Sequence, residues 1–144
     1  MNGIAHLGIQ ATLDLPYAAA VSAVTAALKD QGFGVLTEID VQATLKQKIG
    51  ADFRRYVILG ACNPRLAHQA FTADLNVGLL LPCNVTVYET EDGGSVVSIV
   101  DPLSMLGFMN SPALQLVAEE ARARLERALG AVEQQAAAEQ ATHA

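Results

Sequence analysis

Asn84-Val-Thr-Val-Tyr-Glu-Thr90, Glu91-Asp92-Gly93-Gly94 and Ser95-Val-Val-Ser-Ile-Val100 run consecutively, and their reading decides the fold. Val85 and Val87 alternate with Thr86 and Tyr88, the two-residue period of a strand with one buried face. Asp92-Gly93-Gly94 is strong turn chemistry, so the second valine-rich run folds back antiparallel to the first. A lone hairpin is marginal in water. The rest of the chain has to extend it into a sheet and cover one side.

Upstream, Tyr56-Val-Ile-Leu-Gly-Ala-Cys62 is nearly continuous in apolar residues and reads as a central strand. Asn63-Pro64 then offers an N-cap and a proline at the first helical position, opening a short helix with Leu66, Ala67, Ala70 and Phe71. Farther back, residues 33–39 form another strand. Asp40 caps a short helix with Val41, Leu45 and Ile49 on one side, closed by Gly50. Residues 4–12 read as the first strand. Asp14, followed by Pro16, is expected to cap a helix whose Tyr17, Val21, Val24 and Leu28 share one stripe, ended by Gln31-Gly32.

After Asp101-Pro102 comes a loop or helical turn with Met105 and Met109. Ser111-Pro112 starts a long helix with the stripe Leu114, Val117, Ala121, Leu125, Leu129 and Val132. Its Glu119, Glu120, Arg122, Glu126 and Arg127 read as an ordinary solvated side. The order β-α-β-α-β-α-β-β-α predicts an α+β two-layer sandwich, a mostly antiparallel sheet with helices on one face. One domain is expected over residues 1–132, followed by an Ala/Gln-rich tail, 133–144, that reads as a fraying helix end or a disordered segment.

With 144 residues and 51% hydrophobic content, the chain suits a single core. A formal charge of −6, with nine scattered Lys and Arg, argues against nucleic-acid binding, which needs concentrated positive charge. No apolar run approaches the ~20 residues that span a bilayer, and no secretory signal opens the chain. A cytoplasmic address is therefore expected, where thiols stay reduced.

Cys62 and Cys83 are the two cysteines, in matching settings: Ala61-Cys62-Asn63-Pro64 and Leu81-Pro82-Cys83-Asn84. Each precedes an asparagine, lies near a proline and falls where a strand meets a turn. Their separation excludes a C-x-x-C motif. If their strands are antiparallel neighbours, both sulfurs gather at one end of the sheet. Cys62, just ahead of a helix N-terminus, stands where thiolate is favoured. The competing reading is two small hydrophobes in a packed core.

The segments Gly32-Phe-Gly-Val-Leu-Thr-Glu-Ile-Asp40, Leu59-Gly-Ala-Cys-Asn-Pro64 with Ala67, Gly78-Leu-Leu-Leu-Pro-Cys-Asn84, Val87-Tyr88-Glu89 and Asp101-Pro102 resemble the domain-of-unknown-function family numbered 302. The resemblance implies a β-α-β(4)-α core of the TATA-binding-protein class, and often dimers. It implies fold only, not DNA binding, and brings no agreed activity.

Residues and resemblance together suggest a small module, a homodimer, with Cys62 and Cys83 lining one site. Its chemistry would be thiol-dependent: soft-metal or cofactor ligation, or sulfur and redox handling. Cys62 would be the activated sulfur and Cys83 the resolving or co-ligating one, both as catalytic residues or metal ligands. Asn63, Asn84 and His68 would contact a cofactor or small ligand, although His68 also suits a solvent-facing helix position. Met105 and Met109 add soft donors, or plain packing. His6 and His143 have no visible partners. Glu38, Asp40 and Asp101 suit acid–base work, but turns and caps explain Asp40 and Asp101 more simply. The alternatives are a non-catalytic small-molecule binding domain or a dimeric interaction domain in which both cysteines only pack.

Overall fold

The computed structural model describes residues 2–143, with the side chains of residues 2 and 141–143 outside that description. Six strands make one antiparallel sheet: β1 (Asn2–Ile4), β2 (Gly8–Leu13), β3 (Gly34–Asp40), β4 (Tyr56–Cys62), β5 (Cys83–Glu89) and β6 (Ser95–Val100). They lie in the order β1-β2-β6-β5-β4-β3. The helices are α1 (Tyr17–Asp30), α2 (Val41–Ile49), α3 (Pro64–Ala73), α4 (Pro102–Leu106) and α5 (Pro112–His143). Short 3₁₀ segments occupy Leu75–Leu80 and Gly107–Met109. The fold is the α+β sandwich expected from the sequence.

The β5–β6 hairpin sets the centre of the sheet, pairing Val85 with Ile99 and Val87 with Val97. Gly93 turns it at φ +87°. These four side chains point to the covered face and are fully buried, as are Val24 and Leu28 of α1 and Leu114, Leu129 and Val132 of α5. Burying each such side chain is worth about 1.5–3 kcal/mol, so the two stripes read from the sequence carry the packing of both long helices. Ser95 is buried on the same face, and its hydroxyl donates to the Leu15 carbonyl at 2.7 Å.

Three departures from the sequence reading have local causes. Residues 4–12 are not one strand; the chain turns at Ala5, φ +55°, and β1 pairs back on β2. Asp14 does not cap α1. Pro16 occupies the N-cap position with no side-chain cap, and Asp14 stands two residues too early to reach the first free amides. The apolar stripe of α2 buries nothing, and Ile49 is 74% exposed. That helix is held by its ends: Asp40 Oδ1 accepts from the Ala43 amide, and Gly50 closes it at φ +67°. From Glu133 the chain continues α5, where Ala136 is buried and Gln140 Nε2 donates to the Asp14 carbonyl at 3.4 Å.

Arg122 also leaves the solvated side assigned to it. Its Nη1 meets Asp101 Oδ2 at 2.8 Å and its Nε meets Glu126 Oε1 at 2.6 Å. Asp101 Oδ1 accepts from the Leu103 amide at 2.9 Å, so one carboxylate caps α4 and ties it to α5. Among the described residues, no helix is long and apolar enough to cross a membrane.

A methyl group at Gly8 would lie 2.2 Å from the Ile99 carbonyl oxygen, which is backbone and has nowhere to go. At Gly3 the same position meets nothing within 4 Å. Gly8→Ala is expected to cost about 1–3 kcal/mol in urea unfolding, whereas Gly3→Ala stays within roughly 0.5 kcal/mol.

Candidate functional site

Both cysteine segments are shaped by local sequence before any packing. β4 ends at Cys62 because Asn63 takes over as N-cap, its Oδ1 accepting from the Leu66 amide at 3.1 Å with Pro64 in the first turn. The chain returns through Leu75–Leu80 and the cis Leu81–Pro82 peptide, entering β5 at Cys83. Ala61 pairs with Cys83 and Gly60 with Asn84. The two cysteines therefore sit on neighbouring antiparallel strands at the same end of the sheet, one step out of register.

That one step matters. Side chains alternate between faces along a strand. Cys83 shares its face with Val85, Val87 and, across the pair, Ala61, all turned towards the helices. Cys62 follows Ala61 and so falls on the other face, with Tyr56, Ile58 and Gly60. Asn84 lies opposite Gly60 on that open face and is exposed. The asparagines have exchanged companions: Asn63 lines the helix side near Cys83, and Asn84 shares the open side with Cys62. Thiols whose Cβ directions diverge cannot be bridged without backbone movement, and both cysteines are free.

On the helix side, Cys83 is 9% exposed and lines a cavity of about 40 Å³ with Asn63, Leu66, Met105 and Val117 in its wall. Met105 has a second neighbourhood. It also lines an outer hollow of about 460 Å³ with His6, Leu7, Asp101, Ser104 and Phe108. Met105 thus borders both the space around the buried thiol and a hollow lined by exposed Leu7 and Phe108.

Electrostatics oppose thiolate at both positions. Burial raises the Cys62 thiol above its ordinary value. Burial pushes Cys83 up to about 11, and charge on Cys62 adds to the effect. Placement ahead of α3 does not reverse this for Cys62, because Asn63 and Pro64 intervene and Asn63 already occupies the Leu66 amide.

The remaining candidates separate. His68 is exposed on α3, its carbonyl accepting from Thr72 Oγ1, and lines neither cavity. Met109 is partly buried against the core. His6 is exposed at the β1–β2 turn, and the side chain of His143 lies outside the described residues. Asp40 and Asp101 are helix caps. Among the described residues, no group of three or more His, Cys, Asp or Glu side chains is arranged to hold a metal.

The chain matches the family described as Domain of unknown function DUF302 over residues 9–132. It belongs to the DUF302 family. A solved relative, the crystal structure of an uncharacterized conserved DUF302 protein from Bacillus stearothermophilus, is similar with a TM-score of 0.79 and 32% identity. That likeness covers 86% of this chain and 96% of the other. No curated protein matches.

The cavity wall is what sequence reasoning missed in this DUF302 protein. Phe33 precedes β3, Leu66 and Ala70 lie on α3, and Val117 and Ala121 lie on α5. Each was legible as an apolar position on its own element, yet nothing in the spacing joined them around Cys83. A disulfide reagent is expected to modify Cys62 first, with Cys83 lagging and gaining speed only as pH approaches 11. Because the folded Cys83 value lies above its ordinary 9.0, the unfolded state loses that proton first. Stability should fall as pH rises from 9 towards 11, by up to about 3 kcal/mol. Urea titrations across that window should show a flatter slope for Cys83→Ser.

Proposed function

We propose that this DUF302 protein is a thiol-bearing binding module whose site is the Cys83 cavity, with the two cysteines working separately rather than as a redox pair. The observation that carries this reading is the seat of Cys83: a buried sulfur among mostly apolar side chains, with Met105 lining both its cavity and a hollow at the surface. Burial disfavours a free thiolate for attack on a second substrate, whereas a soft ion binding at the sulfur displaces the thiol proton itself. Asn63 shapes the wall, and His68 has no part. A cytoplasmic setting, where thiols stay reduced, suits both free cysteines.

Native mass spectrometry of protein purified without chelator or reductant is the test. A non-covalent adduct retained in Cys62→Ala and lost in Cys83→Ala supports the reading. An adduct that needs Cys62, or bare mass in every form, sinks it.

A second reading, a homodimeric interaction domain, is favoured by the open sheet face. The strand register puts Gln10, Thr37, Ile39, Tyr56, Ile58, Asn84, Thr86, Tyr88, Val96, Ser98 and Val100 on it, and none is charged. Tyr56 and Tyr88 stack there at 5.4 Å, beside a shallow hollow of about 330 Å³. Arg54 stands over the Tyr88 ring at 5.8 Å, so in a chain of net charge −6 this face, whose strand residues include no acid, is one place where two copies can meet. Sedimentation should show a dimer that Ile58→Arg or Val100→Arg converts to monomer. A wild-type monomer at high concentration would end this reading.

A further inference from the structure

We propose that the Cys83 cavity is a site for a soft monovalent metal ion, held between the Cys83 thiolate and the Met105 thioether. The inference rests on the reading that this cavity is the site, and adds the class of ligand and the second donor.

Three features of the cavity select the ion. The donors come first. Cys83 and Met105 line the same cavity, and thiolate with thioether is the pairing that selects Cu(I)-like ions over Mg²⁺, Ca²⁺ or Mn²⁺. Charge comes second. The other walls are almost wholly apolar, among them Phe33, Leu66, Leu106 and Val117, and an uncompensated charge there would be costly. One thiolate neutralises one monovalent cation, leaving the site neutral before and after binding. A dication would leave a net charge with no carboxylate or imidazole in the wall to balance it. Size comes third. A volume of about 40 Å³ accepts a single ion and falls far below a site for a drug-sized molecule.

Met105 also lines the outer hollow with His6, Asp101 and Ser104. An ion arriving there would meet the Met105 thioether, and a change of its rotamer would carry the ion towards Cys83. Met is suited to this, having an unbranched side chain with three rotatable bonds. The step is an exchange without redox change. The Cys83 S–H bond breaks, a sulfur–metal bond forms, the proton leaves to solvent, and the Met105 sulfur donates a lone pair. No cluster of three His, Cys, Asp or Glu is required, so the absence of one among the described residues is compatible with this two-sulfur site.

The test uses silver nitrate in chloride-free buffer, with the Cys62→Ser protein so that Cys83 is the one thiol. Three readouts are followed together: thiolate-to-metal absorbance, protons released into weak buffer, and the ε-methyl carbon resonances of Met105 and Met109. The expected result is one silver ion bound and one proton released per chain, with the Met105 methyl shifting and that of Met109 unmoved. Met105→Leu, which conserves volume, should weaken binding at least tenfold, and Cys83→Ser should abolish it. Silver bound at full strength in Met105→Leu, or with the Met105 methyl unmoved, overturns the two-sulfur site while leaving Cys83 as a ligand-binding thiol. No silver bound by Cys62→Ser overturns the metal site, and an adduct needing Cys83 would still support the broader reading. Met105→Leu leaves the thiol in place, so the inference stays testable even if Cys83→Ser fails to fold.

Discussion

The pairing of β4 with β5 is the constraint on which the site depends. Ala61 faces Cys83 and Gly60 faces Asn84, and the two-residue period of a strand then assigns every neighbouring side chain to one face or the other. Cys83 must point to the helices and Cys62 must point away. A slip of one residue between these strands would exchange the faces of one thiol and expose Val85 and Val87, which are fully buried. The core thus protects the register, and the register separates the thiols.

Around that pairing, α3, α4 and α5 are arranged by ordinary means. Asn63 and Asp101 cap α3 and α4 with their own side chains, and Arg122 links the head of α4 to α5. Each is a modest interaction, and the partly exposed ion pair is worth at most about 1 kcal/mol. Together they fix where Met105 stands relative to Cys83. The chemistry of the cavity comes from position more than from any activated group, since both thiols are held towards their neutral form.

The open face shows the same logic from the other side. Its residues alternate with the buried valines, a pattern visible in the sequence for β5 but hidden in β4 and β6, where Ile58, Val96 and Val100 are apolar as well. What the sequence did not reveal is that the strand residues of a whole face, summed over five strands, include no charged side chain, with Arg54 reaching over Tyr88 from outside them. That property belongs to the strand order β2-β6-β5-β4-β3, which is a tertiary fact.

Local chemistry was legible without a structure. The hairpin at Asp92-Gly93-Gly94, the Asn63-Pro64 and Asp40 caps and the stripes of α1 and α5 all stand where propensity and periodicity put them. The errors fell where local signals compete or run short, as in the folded-back β1 and the empty cap position of Asp14. The sequence by itself determined that two similar cysteine segments border turns in an antiparallel sheet. Only the tertiary structure decided that their thiols lie on opposite faces, and that Met105, 22 residues beyond Cys83 in the chain, lines its cavity. Face and neighbourhood depend on register between strands and on packing between helices, and neither is encoded in any single segment.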